Sequence, residues 1–145
     1  MKRLGQEDKE TLTTALDHSG QRATPQRETV FGVLLDQRDH PTADEVYART
    51  KSRMPTISMA TVYNCLETLV SSGLVKQVNI EREPTRYCPN LAPHAHFHCR
   101  ETGRVYDVPV PAGTMEKLTD VLPGKYQADS VELVFRGHLA KGNSK

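Results

Sequence analysis

The stretch Cys88-Pro-Asn-Leu-Ala-Pro-His94-Ala-His96-Phe-His98-Cys99 gathers the side chains best suited to bind a metal. His94, His96 and His98 alternate, so on a strand all three point to one face. The thiol of Cys88 lies six residues ahead of His94, and Asp107 follows on the expected return strand. Sulfur, imidazole nitrogen and a carboxylate together make a donor set for a transition metal. Three protein ligands with an open position could also activate water, as in a metalloenzyme. Against that reading, the only candidate general base beside the histidines is Asp107, so no catalytic residue is assigned.

The elements that must hold these residues follow from the rest of the chain. At 145 residues it can form one medium domain or two small ones with a real core. No apolar run approaches a membrane span and the first residues are too polar for a secretory signal, so a cytoplasmic protein with no membrane partner is expected. Three cysteines cannot all pair, which argues against a disulfide framework. Residues 1–83 carry 11 Lys+Arg against 12 Asp+Glu, and the remainder 8 against 6. Any binding of nucleic acid by the first half must therefore use a local patch.

Leu12, Ala15 and Leu16 imply a helix from Glu7 to His18, ended by Gly20. Thr24-Pro25 is a cap followed by proline at the first helical position, and the next helix carries Val30, Phe31, Val33, Leu34 and Leu35. Thr42 and Glu45 form a capping box ahead of Val46 and Tyr47. Ser58 caps a helix running from Met59 to Ser72, with Val62, Cys65, Leu66, Leu69 and Val70 inward and Thr61, Tyr63, Asn64, Glu67 and Thr68 outward. Leu74–Ile80 has strand character, Glu81–Pro84 a turn, and Thr85–Tyr87 a short return strand. This is the element order of a winged helix-turn-helix, whose last helix would present N-terminal residues to base edges. A generic small helical domain gives the same periodicity.

Several motifs resemble the ferric uptake regulator family: Arg22-Ala-Thr-Pro-Gln-Arg27, His40-Pro-Thr-Ala-Asp-Glu45-Val-Tyr47, Ser58-Met-Ala-Thr-Val-Tyr-Asn64, Ser72-Gly-Leu-Val75, and His94-x-His96-x-x-Cys99-x-x-Thr102-Gly-Arg-Val. They occur in order across nearly the whole chain. The resemblance implies an α+β protein: a winged-helix DNA-binding domain over residues 1–88, with a hinge at its end, and a small α/β dimerisation and metal-sensing domain over 89–145. It also implies a homodimeric repressor of double-stranded operator DNA, with no small-molecule substrate. Ser58, Thr61, Tyr63 and Asn64 would then face DNA, and Arg22 would meet the phosphate backbone or a narrow minor groove. Asparagine at position 64 resembles the peroxide-sensing members rather than the iron-responsive ones. An amide there would pair with adenine where a guanidinium would select guanine.

The positions that match the family's regulatory metal site are His40, Cys88, His94, His96 and Asp107, implying one divalent ion (Zn, Fe or Mn) per protomer. Peroxide sensors carry a carboxylate where this chain has Cys88, and many zinc-sensing relatives resemble it in carrying cysteine. Thiolate favours Zn(II), so a zinc uptake regulator is the main rival reading. His98 lies on the ligand face as a lesser candidate. Only Cys99-Arg-Glu-Thr102 remains of the family's paired Cys-x-x-Cys motifs, so no structural four-cysteine zinc can form. Cys99 is then expected to be a small apolar filler. The second half should hold together through Phe97 and Cys99 against Val105 and Val108, a helix around Met115, Leu118, Val121 and Leu122, and a strand at Val131–Phe135. The family's other sensor site looks lost, since Ala95 replaces a common carboxylate. A protein that binds DNA without metal is a further alternative.

Overall fold

Local signals account for most of the first half. In α1 (Gln6–His18) Leu12 and Leu16 are fully buried, and the chain leaves the helix through Gly20, whose φ of 75° suits a residue without a Cβ. The Thr24 hydroxyl accepts from Arg27 N at 3.2 Å and starts α2 (Pro25–Asp36), which buries Val30, Phe31, Val33 and Leu34. The expected capping box opens α3 (Ala43–Lys51): Thr42 N donates to Glu45 Oε1 at 2.9 Å and Glu45 N to Thr42 Oγ1 at 3.3 Å. Ser58 Oγ accepts from Thr61 N at 3.1 Å ahead of α4 (Met59–Ser71). Val62, Cys65, Leu66 and Leu69 then close the core against α2 and α3. Truncating one of these leucines to alanine typically costs about 2–5 kcal/mol.

The computed structural model describes residues 4–140, which fall into two compact units, one up to Leu91 and one from Ala92. The first unit ends in a two-stranded wing, β1 (Lys76–Val78) antiparallel to β2 (Arg86–Cys88), with Gln77 opposite Tyr87. The wing is shorter than expected because Leu74 and Val75 turn into the core and leave the ladder. Thr68, expected on the outer face of α4, is buried: it lies one turn beyond Cys65 on the same side.

The second unit is a three-stranded sheet ordered β4-β3-β5. Its centre, β3 (His94–Cys99), runs antiparallel to β4 (Val105–Pro109) and parallel to β5 (Val134–Gly137). A short helix, α5 (Thr114–Thr119), lies on the connection from β4 to β5. The last strand begins three residues later than the expected Val131. Its register is set by partners distant in sequence, Phe97 with Phe135 and Cys99 with Gly137, and Arg100 N adds a bond to Gly137 O at 2.7 Å.

The expected packed helix at 115–122 is not realised. It stops at Thr119, and Leu118, Val121 and Leu122 are exposed together with Tyr126 and Phe135. Buried apolar side chains among the described residues of this unit are few: Ala95, Cys99 and Val105. A unit this small cannot cover its own apolar face. Cys99 is buried, but as more than an apolar filler. Thr102, through hydroxyl and amide, and the amides of Glu101 and Leu139 surround its sulfur and hold the thiol below its ordinary pKa. No helix among the described residues is long and apolar enough to cross a membrane.

Candidate metal centre and nucleic-acid interface

On β3, His94 and His96 turn their Nε2 atoms toward each other at 3.1 Å. Asp107 faces His96 across the ladder, and its Oδ1 lies 3.3 Å from His96 Nε2 and 3.4 Å from His94 Nε2. The three donors thus form a nearly equilateral triangle. Ligands bound tetrahedrally at about 2.0–2.1 Å from one ion are separated by roughly 3.3–3.4 Å, so this triangle fits one face of such a shell. The tautomer fits as well. His94 Nδ1 lies 2.6 Å from the Ala92 carbonyl, to which only a protonated Nδ1 can donate, leaving the Nε2 lone pair of the neutral ring for a metal. His98 is buried on the same strand, but the close-set donor atoms are those of His94, His96 and Asp107.

The first unit brings together a second pair. His40 and Cys88 are both buried, with ligand atoms within 4.8 Å of each other. His40 occupies the loop between α2 and α3 in the left-handed region, at φ 57°, which is uncommon for a residue with a side chain. The loop is tied down at several points. Arg49 grips Asp39 with two bonds of 2.8 Å, and Gln37 Nε2 donates to the same carboxylate at 3.2 Å. The Arg49 guanidinium holds the Asp39 carboxyl below its usual range. Tyr87 N donates to Pro41 O at 2.9 Å, and Arg86 Nη1 to His40 O at 3.1 Å. Soft sulfur with imidazole suits Zn(II) and other late divalent ions.

In the same unit, Tyr63 and Asn64 stand exposed in the first turns of α4, with Thr61 half-buried. Ser58 is exposed, and its hydroxyl serves the helix cap while lying 2.9 Å from Thr61 Oγ1. Arg22 is exposed in the loop before α2. A cleft of about 360 Å³ opens between that loop and α4, lined by Arg22, Gln26, Arg27, Thr61 and Asn64 among others. Arg27 Nη1 donates to Arg22 O at 2.7 Å, so its guanidinium lies against the Arg22 backbone in the same cleft. The cleft is polar and cationic although the unit as a whole is not basic, as a local phosphate-facing patch requires.

Sequence reasoning assigned no role to Arg27, Asp39, Arg49 or Arg86. Arg27 ends the Arg22–Arg27 motif, and its bond to the Arg22 carbonyl is not encoded by any periodicity. Arg49 and Arg86 reach loops 10 and 46 residues away, which no periodicity encodes.

Comparison with known proteins agrees with this anatomy. The family model described as "Ferric uptake regulator family" matches residues 18–134. The peroxide-responsive repressor PerR of Staphylococcus epidermidis is 34% identical over 102 residues, covering 70% of this chain and 68% of the relative. A crystal structure of the Campylobacter jejuni peroxide stress regulator is 26% identical at a TM-score of 0.66, over 92% of this chain and 97% of that one. A zinc-bound manganese uptake regulator is 25% identical at a TM-score of 0.62, over 87% and 98%. With a winged helix ahead of a small sheet that carries a His-His-Asp triangle, the chain belongs to the ferric uptake regulator family, whose members are transcription regulators and not enzymes.

Proposed function

We propose that this chain is a homodimeric, metal-dependent repressor that binds operator DNA and responds to peroxide in the cytoplasm. The observation that carries the reading is the triangle of His94, His96 and Asp107 donors, 3.1–3.4 Å apart, in the half that has no nucleic-acid features. His40 and Cys88, in the half that carries α4, complete the proposed ligand set. Were these residues to hold one divalent ion together, it would supply a cross-link between the two halves. Its affinity is then higher for one arrangement of those halves, and that difference is what shifts the population toward the DNA-binding form. The peroxide response is supported by the names of the 34%-identical repressor and of the 26%-identical regulator.

The chain's own groups do the rest. Ala92 O fixes the His94 tautomer, and the Arg49–Asp39 pair holds the His40 loop. Tyr63 and Asn64 present a phenol and an amide to base edges, the amide suited to adenine, while Arg22 and Arg27, which line one cleft, meet phosphate. Leu118, Val121, Leu122, Tyr126 and Phe135 are exposed apolar side chains of the second unit that a second copy could cover, which supports the homodimer.

Cys88 favours a second reading, a zinc uptake regulator. Its buried thiol beside His40 suits Zn(II) better than Fe(II) or Mn(II). One experiment separates the two. The purified protein is loaded with Zn(II), Mn(II) or Fe(II), and operator binding is titrated before and after peroxide. Loss of binding after peroxide with oxygen added to His94 or His96, or loss reversed by a thiol reductant and absent in Cys88→Ser, supports peroxide sensing. Operator binding that tracks free Zn(II) and ignores peroxide supports the zinc regulator.

A further inference from the structure

The His40 loop crosses from α2 to α3, yet it is held by the wing. Arg86, on β2 two residues before Cys88, sends Nη1 to His40 O at 3.1 Å and Nη2 to Glu83 Oε1 at 3.3 Å in the wing turn. Thr42 bridges Arg86 through the backbone, and Tyr87 N binds Pro41 O at 2.9 Å, so residues 40–42 lie along β2. One guanidinium thus spans two loops 43 residues apart in sequence while sitting on the strand that carries the thiol. A left-handed backbone at a non-glycine residue persists only when its surroundings hold it there. Arg86 acts on the carbonyl of the strained residue itself.

We propose that Arg86 is a positioning residue: it fixes His40 opposite Cys88 and joins that pair to the wing turn, so metal affinity and wing geometry depend on one side chain. The proposal rests on the reading that His40 and Cys88 hold the metal. The planar fork is essential to it. Lysine reaches one partner with a single ammonium, whereas the guanidinium serves both with separate nitrogens. Asp39, gripped by Arg49, anchors the loop from its other end.

The test uses the full chain with Co(II) as the probe, titrated against a competing chelator and read by the thiolate-to-cobalt absorption band. A second readout needs no metal: hydrogen exchange at the Tyr87 amide in chelator-treated protein. Arg86→Met is expected to weaken Co(II) binding roughly tenfold, as for loss of a hydrogen bond to a charged group, and to speed exchange at Tyr87 by a similar factor. Arg86→Lys should recover part of both. Should Arg86→Met fail to fold, Asp39→Asn releases the other anchor and is expected to weaken Co(II) binding about threefold. His40→Ala and Cys88→Ser are measured alongside. If both weaken Co(II) binding while Arg86→Met and Asp39→Asn leave it and the Tyr87 amide unchanged, the positioning role is overturned alone. If His40→Ala and Cys88→Ser bind Co(II) like the parent, the metal reading falls and takes this proposal with it.

Discussion

The apolar face of the second unit makes the proposed dimer open to a quantitative test. Val121 is 79% exposed, with Leu118 and Leu122 beside it. Covering a valine side chain is worth about 1.5 kcal/mol or more, and a two-fold interface uses each residue twice. Val121→Asp removes that gain at both copies and adds two carboxylates that must lose water, each at a cost of about 3 kcal/mol or more after relaxation. The sum is about 9 kcal/mol or more per dimer, or roughly a 10⁶-fold or greater rise in the dimer dissociation constant. Sedimentation velocity from nanomolar to high micromolar protein reads this directly. Circular dichroism on the same samples checks that each protomer keeps its helices. A folded Val121→Asp variant that dimerises as tightly as the parent would refute the assignment of this face to a second copy.

Other expectations follow from particular contacts. Thr50 is fully buried in α3 and its hydroxyl has no hydrogen-bond partner, so Thr50→Val should raise stability by about 1 kcal/mol, read as a higher denaturant midpoint at unchanged slope. Arg22→Ala should weaken binding to all duplexes alike and reduce the salt slope by about one, whereas Asn64→Ala should lose about 1–3 kcal/mol of discrimination at one base pair. Because Arg49 depresses the Asp39 pKa, that pair contributes stability above the unfolded carboxyl value and loses it as pH falls through the lower folded value. Asp39→Asn should therefore flatten part of the acid limb of a stability-against-pH profile and leave the neutral region nearly parallel to the parent. The effect is small, since the carboxylate is largely solvated.

What could be read from the sequence was local. Thr24, Thr42 and Ser58 cap the helices they precede because a cap needs only the next three residues. The alternation of His94 and His96 with a return strand at Asp107 likewise follows from strand geometry, and the structure brings those donors within 3.4 Å. Non-local choices were not legible. The start of β5 at Val134 depends on β3, which lies more than thirty residues earlier. Thr68 looked outward by polarity and is inward by period. The hydrogen bonds around Cys99 depend on a turn closed by Gly103, whose amide binds Cys99 O at 2.8 Å, and on the arrival of Leu139. The stretch from Leu118 to Leu122 was expected to fill a core, but the face it needs is absent from its own unit.

If metal and operator favour the same arrangement of the two halves, linkage makes this measurable from both sides. An operator duplex selected from a random pool is titrated with zinc-loaded and chelator-treated protein, and Zn(II) affinity is then measured with and without that duplex. Metal is expected to tighten operator binding by a factor in the range of about 5–150, and operator to tighten Zn(II) binding by the same factor. Zn(II) affinity unmoved by a saturating operator, alongside equal operator binding by loaded and chelated protein, would contradict it.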